Sequence, residues 1–330
     1  MTDADAAAED WLTVSASSAA PSNKETMNRD LKENTQSTVI RVCNVSETAP
    51  ILTVVMRLAA PPAVNLSTLG SLLDPGVLRQ LRHNHWGIYE VCRAQAQQLA
   101  FMRTLEQHGA RVILEPPLRG SSSAHYTRDI GFAIDETYFV ARMGTKYRLP
   151  EVDAMNPIVR RFSSVVRLES GRIEGGDVML APGRVLVGLG EASDLEGVAA
   201  LRTALAKIGN PREVVPLHFR VSGVIHLDTK FNLVSPTLAI ICRSSFEPQT
   251  LQWLGKNFEL IDATPDETKR IQINTFGLGH GRVILDRGAQ RLADELARHG
   301  LEPVLLDYSE ISQLPGSFRC TTLPIERTSD

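Results

Sequence analysis

Short apolar runs alternate with single amphipathic segments along most of this chain. Residues 51–56 form the first run, and its β-branched residues are typical of a buried strand. Helical spacing then extends over about residues 74–108, divided at Gly87 into two predicted helices. Gly109 stands where a helix-ending glycine belongs, and residues 111–115 are predicted to form the next strand.

Beyond residue 115 the pattern predicts pairs of short strands separated by single helices. Two helices are predicted, over residues 194–208 and 287–299. The predicted strands cover residues 130–134, 137–143, 164–168, 177–181, 184–189, 213–216, 224–228, 231–234, 237–242, 258–261, 271–274, 282–285 and 303–306. Strand pairs punctuated by one helix, several times over, favour an α/β or α+β fold over a helical bundle or a β-sandwich.

The first 48 residues differ from the rest in composition. They are rich in alanine, serine, threonine, asparagine and acidic residues, and they hold few large apolar side chains. Such a segment cannot bury enough apolar surface to offset the conformational entropy lost on folding. We therefore predict a disordered tail over residues 1–48 and a single folded domain over residues 49–330.

The bulk composition argues against several classes of protein. The chain has 330 residues, 43% of them hydrophobic and 22% charged, and its net charge of −3 gives no reason to expect nucleic-acid binding. No apolar stretch reaches the length of a membrane span, and the N-terminus lacks the pattern of a secretory signal. The four cysteines have neither zinc-like spacing nor the pattern of a disulfide framework. We therefore expect a cytoplasmic protein with no membrane partner, and a homo-oligomer is left open.

Cys320 is the first candidate for chemistry. A single cysteine is more often a small buried hydrophobic residue than a nucleophile. The flanking sequence shifts this balance, because Pro315-Gly316-Ser317 predicts a turn and residues 320–323 are typical of a strand. The thiol is therefore predicted at a loop-to-strand junction, where a side chain can face a cleft.

His226 and Asp228 form a second candidate pair. On a strand, positions i and i+2 share one face, so the imidazole and the carboxylate would line the same cleft, while Leu227 and Phe231 would point the other way. An imidazole can protonate a leaving amine and then activate water, and a neighbouring carboxylate favours its cationic form. The ordinary alternative is a core or surface histidine, since the chain has eight.

Two further clusters supply carboxylates. Glu174-Gly175-Gly176-Asp177 alone is typical of a turn, although its glycines would let backbone approach a ligand while Glu174 enters the site. Thr127-Arg128-Asp129 alone is typical of an exposed ion pair before a strand. With Asp228, the carboxylates of Asp129 and Glu174 make three, and such a set suits a cation better than a peptide carbonyl.

Together, and in this order, the four clusters resemble the guanidine-modifying superfamily of arginine deiminases, dimethylarginine dimethylaminohydrolases and amidinotransferases. The resemblance runs from about residue 50 to the C-terminus. It implies an α/β fold, a pseudo-five-fold propeller (pentein) of αββαβ-type modules around a central active site. It also implies a small-molecule guanidine substrate, arginine or a substituted arginine, and no metal or organic cofactor.

The resemblance assigns a role to each candidate residue. Cys320 would be the covalent nucleophile and His226 the proton donor and base. Glu174 would contact both His226 and the guanidinium, and Asp129 and Asp228 would accept guanidinium hydrogen bonds. Asp177 would be structural or would support the residues that contact the substrate.

Arg148 has two interpretations on sequence grounds. It lies nineteen residues after Asp129, where arginine-directed members place one of two arginines that bind the substrate carboxylate, and Glu151 follows it as in the deiminases. The alternative is a solvated loop residue. Ala192 stands where the second arginine is expected, so a guanidine with a different tail is equally compatible with the sequence.

The leading hypothesis is a hydrolase that cleaves a carbon–nitrogen bond of a guanidine through a Cys320 thiouronium intermediate and yields a ureido product. An amidinotransferase is the alternative, although Thr321 follows the cysteine where transferases commonly have tryptophan. A guanidine-binding protein without catalysis would not need Cys320. A Cys-His protease is disfavoured, since no protease signature surrounds Cys320.

Overall fold

The computed structural model describes residues 39–60, 90–118, 120–121 and 123–328, and every element below lies within these ranges. The α-helices are α1 Val91–Gln107, α2 Leu149–Ala154, α3 Asn156–Val159, α4 Leu195–Lys207, α5 Pro248–Asn257, α6 Pro265–Lys269 and α7 Gln290–Arg298. The strands are β1 Cys43–Asn44, β2 Ile51–Arg57, β3 Arg111–Glu115, β4 Gly131–Ile134, β5 Thr137–Val140, β6 Val165–Arg167, β7 Val178–Ala181, β8 Arg184–Leu189, β9 Glu213–His218, β10 Phe231–Leu233, β11 Leu238–Ile241, β12 Glu259–Asp262, β13 Phe276–Gly279, β14 Arg282–Asp286, β15 Glu302–Leu306 and β16 Leu323–Arg327.

One arrangement of strands occurs five times among these elements. Two strands pair antiparallel, and a third joins the second in parallel after a helical crossover. Four sheets have this order: β4-β5-β6, β7-β8-β9, β10-β11-β12 and β13-β14-β15. In the fifth sheet, β1-β16-β2-β3, the antiparallel pair is β16 with β2, and β3 is the parallel strand. Parallel neighbours need a long crossover, which explains why strand pairs and helices alternate along the sequence.

Helix α4 illustrates how the apolar pattern specifies each module. Val198, Leu201 and Leu205 are spaced to lie on one helix face and are buried in a hydrophobic cluster with Val185 and Val187 of β8. The side chain of Asp194 caps the helix by accepting a hydrogen bond from the Gly197 N–H at 2.8 Å. The helix predicted over residues 194–208 is thus confirmed.

The C-terminal strand β16 completes the sheet β1-β16-β2-β3. Leu323 lies opposite Val55 of β2, and both are fully buried in one hydrophobic cluster with Ile325. On the other side of β16, Cys43 of β1 lies opposite Glu326 in parallel register. The turn that precedes β16, which contains Cys320, is thereby joined to the module that contains β2 and β3.

The predicted tail is too long at its C-terminal boundary. Ile40 and Val42 are buried in the hydrophobic cluster that contains Val55, and Glu47 is 6% exposed among charged side chains. The sequence signal is weak because residues 39–48 contribute isolated buried side chains and a two-residue strand rather than a periodic run. Residues 1–38, the rest of the predicted tail, lie outside the described residues.

Several predicted elements differ from the structure. Residues 224–228 and 271–274 are not strands: a 3-10 turn over Leu227–Thr229 and a turn that contains Ile271 at φ 58° take their places. Helices α5 and α6 each begin at a proline and were not predicted. Of the helical region 74–108, residues 74–89 lie outside the described residues, and α1 confirms the second helix. In the described part of the chain, no helix is long and apolar enough to cross a membrane.

Candidate active site

The site is formed by the five turns that precede the first strand of each module. A closed ring of hydrogen bonds joins each turn to the next. The links are Arg128 N–H to the Cys320 carbonyl (3.0 Å), Gly175 N–H to the Asp129 carbonyl (3.1 Å), Leu227 N–H to Asp177 Oδ1 (2.9 Å), Asn274 Nδ2 to the Asp228 carbonyl (3.2 Å) and Cys320 N–H to Asn274 Oδ1 (3.1 Å). Clusters that are far apart in sequence therefore meet at one place, as the module symmetry requires.

Cys320 lies in the last of these turns with only 2% of its surface exposed. Its Sγ is 3.5 Å from Asp228 Oδ2 and 3.7 Å from Oδ1, and it accepts a hydrogen bond from Asn274 Nδ2 at 3.1 Å. Burial, followed by the negative charges of Asp228 and Asp129, raises the pKa of the Cys320 thiol well above its usual range. The thiol is therefore protonated at neutral pH in this environment.

His226 lies between two carboxylates. Its Nε2 donates to Glu174 Oε2 at 2.9 Å, and its Nδ1 is 3.4 Å from Asp129 Oδ1. Burial opposes a charge on the imidazole, but Asp129 and the hydrogen bond to Glu174 outweigh it and raise the pKa of His226 to about 10. At neutral pH the group is an imidazolium and can donate a proton.

The two carboxylates beside His226 differ in their own environments. Glu174 accepts a hydrogen bond from the Gly144 N–H at 2.7 Å. Burial alone would raise the pKa of Glu174, but His226 outweighs it and the pKa is lowered. Burial raises the pKa of Asp129, and its Oδ1 is buried without a hydrogen bond from the described residues. An oxygen in this condition is an acceptor that a cationic ligand can satisfy.

The two glycines of the Glu-Gly-Gly-Asp motif allow this close packing. A Cβ atom at Gly176 would lie 2.6 Å from His226 Cγ and 2.7 Å from Asp129 Oδ1. A Cβ atom at Gly175 would lie 2.0 Å from the Arg128 carbonyl oxygen. Asp177 turns away from the thiol and accepts hydrogen bonds from the Ser193 hydroxyl and the Leu227 N–H.

Arg148 is buried, so its interpretation as a solvated loop residue is wrong. Its Nη1 donates to Asp129 Oδ2 at 2.8 Å and lies 3.7 Å from Glu174 Oε2. Its Nε and Nη2 donate to Glu151 Oε2 at 3.0 and 2.7 Å. Both edges of the Arg148 guanidinium are thus occupied by carboxylates of the protein. Ala192, which stands where a second arginine was expected, is buried against Gly144.

Asp228 does not pair with His226, contrary to the strand prediction. Because residues 227–229 form a 3-10 turn, the two side chains diverge: His226 meets Glu174, whereas Asp228 Oδ2 accepts from Arg319 Nη1 at 2.9 Å. Leu227 and Phe231 do lie together in the core, as predicted. The sequence thus places both functional side chains at the site but pairs them wrongly.

Three residues at the site were missed from the sequence. Arg319 donates to Glu47 through Nε at 3.2 Å and Nη2 at 3.0 Å, and both side chains are buried. Asn274 contacts Cys320 through both ends of its amide. The one available signal for Asn274 is its place two residues before β13, equivalent to Asp129 before β4.

The family model described as arginine deiminase matches residues 94–256. An uncharacterised protein of Bacillus subtilis strain 168, YkgA, is 30% identical over 235 residues, which cover 71% of this chain and 80% of that protein. A dimethylarginine dimethylaminohydrolase of Pseudomonas aeruginosa is 24% identical over 246 residues, which cover 74% of this chain and 92% of the enzyme. The chain belongs to the guanidine-modifying superfamily.

A solved structure confirms the fold expected of this superfamily. The amidinotransferase SxtG of Microseira wollei superposes with a TM-score of 0.73 over 88% of this chain and 98% of its own, at 15% identity. The pseudo-five-fold α/β propeller predicted for a guanidine-modifying protein is therefore correct, and its five modules are the five sheets described above. Within the described ranges, no group of three or more His, Cys, Asp or Glu residues is arranged to hold a metal ion.

Proposed function

We propose that the protein is a hydrolase that cleaves a carbon–nitrogen bond of an arginine-like guanidine through a covalent intermediate on Cys320. The observation that carries the proposal is the meeting of one buried thiol, one imidazolium and the carboxylates of Asp129, Glu174 and Asp228 in a single site. A thiol supplies a nucleophile, an imidazolium supplies a proton, and carboxylates select a cation.

Substrate binding uses the acidic side chains. The unsatisfied Oδ1 of Asp129 and the carboxylate of Asp228 accept guanidinium N–H groups, which orients the guanidinium carbon toward Cys320 Sγ. The positive charge of the substrate also offsets the two carboxylates that keep the thiol protonated. The thiolate therefore forms within the complex, with release of the thiol proton.

Two half-reactions follow. The thiolate attacks the guanidinium carbon, a carbon–sulfur bond forms, and His226 donates its proton to the departing amine, so that a thiouronium is left on Cys320. The neutral imidazole then takes a proton from water, and the hydroxide attacks the same carbon. The carbon–sulfur bond breaks, its electron pair returns to Cys320, and the hydroxyl proton restores the thiol. The products are a ureido compound and ammonia or an alkylamine, and one water is consumed.

Arg148 has two roles in this proposal. It holds Asp129 and Glu174 in place, and it faces the tail of the substrate. A substrate carboxylate can bind the Arg148 guanidinium only if it displaces Glu151. Arg148 therefore favours arginine or a substituted arginine only if this displacement occurs. Both arginine and guanidines without a carboxylate therefore belong in the substrate panel.

Product analysis by mass spectrometry tests the proposal. The protein and its Cys320→Ala variant are incubated with arginine, N-methylated arginines, agmatine and guanidinoacetate, with and without an amine acceptor. We expect a ureido product in water alone, absent in the variant. Product that forms only with the acceptor would replace the hydrolase with an amidinotransferase, because the amine would then take the place of water. No product under any condition would refute enzymatic action on this panel.

A further inference from the structure

Asn274 is a buried polar side chain beside the reacting sulfur. It is 1% exposed, and its Oδ1 accepts the N–H groups of Ser317 at 3.2 Å and of Cys320 at 3.1 Å. A backbone N–H can only donate, so the other end of the amide must be the NH2 group. That NH2 group donates to the Asp228 carbonyl at 3.2 Å and to Cys320 Sγ at 3.1 Å.

The turn that carries Asn274 has an unfavourable backbone conformation. Ile271, three residues earlier, has φ 58°, in the left-handed region that β-branched residues rarely adopt. Such conformations cost free energy and persist where the surrounding structure imposes them, commonly at functional sites. Here the fold accepts this cost in the turn that brings Asn274 to the sulfur.

A second asparagine holds the turn in this conformation. Asn232 of β10 is 2% exposed, and its Nδ2 donates to the Ile273 carbonyl at 3.2 Å and to the Thr275 carbonyl at 2.7 Å. These two carbonyls flank Asn274. The position of its amide is therefore fixed from the neighbouring module and does not depend on the cysteine turn alone.

The charges around the sulfur show what this amide does. Asp228 and Asp129 face the thiol, and their negative charges oppose its ionisation. Arg319, which donates to Asp228, favours ionisation through its positive charge. When the thiol loses its proton, its contact with Asp228 changes from attractive to repulsive. The hydrogen bond from Asn274 persists and becomes charge-assisted, which strengthens it.

We propose that Asn274 is a further catalytic residue of this site, which stabilises the Cys320 thiolate by donating an amide N–H to Sγ and holds the sulfur in position for attack. The inference rests on the proposed role of Cys320 as nucleophile. The turn before β13, which carries Asn274, is the one of the five turns that contains none of the four sequence motifs. The inference gives this turn a function.

Titration of the thiol tests this inference without any turnover. The rate of Cys320 alkylation by iodoacetamide is measured against pH, by mass spectrometry of the peptide that contains it, in the parent protein, Asn274→Ala and Asn274→Asp. Loss of a hydrogen bond to a charged group is worth about one to two pH units, so we expect the apparent pKa of the thiol to rise by that amount in Asn274→Ala. Asn274→Asp keeps an acceptor for both backbone N–H groups but replaces the donor by a carboxylate oxygen. We expect the apparent pKa of its thiol to be at least as high as in Asn274→Ala.

Asn44→Ala is the matched control, since Asn44 is also a buried asparagine but donates to the Ala133 carbonyl in another part of the fold. We expect it to leave the thiol titration unchanged. A merely structural role for Asn274 predicts an unchanged titration in Asn274→Ala, and that result overturns the inference. If Asn274→Ala does not fold, the same comparison is made with Asn274→Leu, which removes the N–H donor without adding a charge beside the sulfur. With an active parent enzyme, kcat should fall about 10- to 100-fold in Asn274→Asp with a smaller change in KM. A shifted titration in a protein that turns over no guanidine would retain the inference and refute the proposed function instead.

Discussion

Replacement of Glu47 by glutamine removes one charge from a buried cluster that supports the site. Glu47 Oε1 and Oε2 accept from Arg319 at 3.0 and 3.2 Å, and Arg128 Nη1 lies 3.9 Å from Oε2. Arg319 in turn donates to Asp228, which faces Cys320. Glutamine preserves the shape of the side chain but leaves two buried guanidiniums with one carboxylate fewer.

The magnitude follows from the ionisation of Glu47. Burial opposes its charge, yet Arg319 and Arg128 hold the pKa of Glu47 at about 2 instead of 4.5. At 1.36 kcal/mol per pH unit, this difference corresponds to about 3 kcal/mol of stability. Loss of one partner from a buried ion pair costs about 3–5 kcal/mol, so the two approaches agree. We expect Glu47→Gln to lower the free energy of unfolding by about 3 kcal/mol at pH 7.

Urea unfolding at several pH values is the assay, with Glu169→Gln as control. Glu169 pairs with Lys207 at 3.4 Å on the surface, where such pairs contribute less than about 1 kcal/mol. Because the folded-state pKa of Glu47 is lowered, its contribution is present above about 4.5 and is lost as the pH falls toward 2. The gap between parent and Glu47→Gln should therefore shrink in acid. A gap below about 1 kcal/mol at pH 7 would refute the claim that residues 39–48 belong to the fold.

Two further predictions concern His226. Gly176→Ala should abolish turnover while the protein remains folded, because the new Cβ displaces both His226 and Asp129. Activity assays and circular dichroism test this. The control is Gly255→Ala, where nothing lies within 4 Å of the new Cβ, and it should retain full activity. Glu174→Gln should lower the pKa of His226 from about 10 by at least about one unit, since it removes the charge of the hydrogen-bonded carboxylate, as nitrogen NMR of the imidazole will show. An unchanged imidazole titration would contradict this account of its protonation.

Each of the four motifs is readable from the sequence because it is a short run of charged or reactive residues in or beside a predicted strand or turn. Strand pairs and their helices were readable because buried residues in β7, β8 and α4 are contiguous or periodic. Neither signal depends on distant parts of the chain, which is why both could be recognised without a structure.

The failures share one physical cause. Pairings across modules leave no local pattern: Glu47 lies 272 residues from its partner Arg319, and Asn274 lies 46 residues from Cys320. The strand predicted over residues 224–228 failed for a related reason, since ionic and hydrogen-bonding partners from neighbouring turns override the strand propensity of its apolar residues. Arg148 likewise reads as a loop residue until Asp129 and Glu151 are placed beside it.

Direct detection of the covalent intermediate tests the central claim. The protein is mixed with a guanidine substrate, quenched in acid within milliseconds to seconds, and analysed by intact mass and peptide mapping. The account predicts an adduct with the mass of the substrate less the departing amine, located on Cys320, which appears before the ureido product and decays as it accumulates. Ureido product that forms with no adduct at any time, or that still forms in Cys320→Ala, would contradict it.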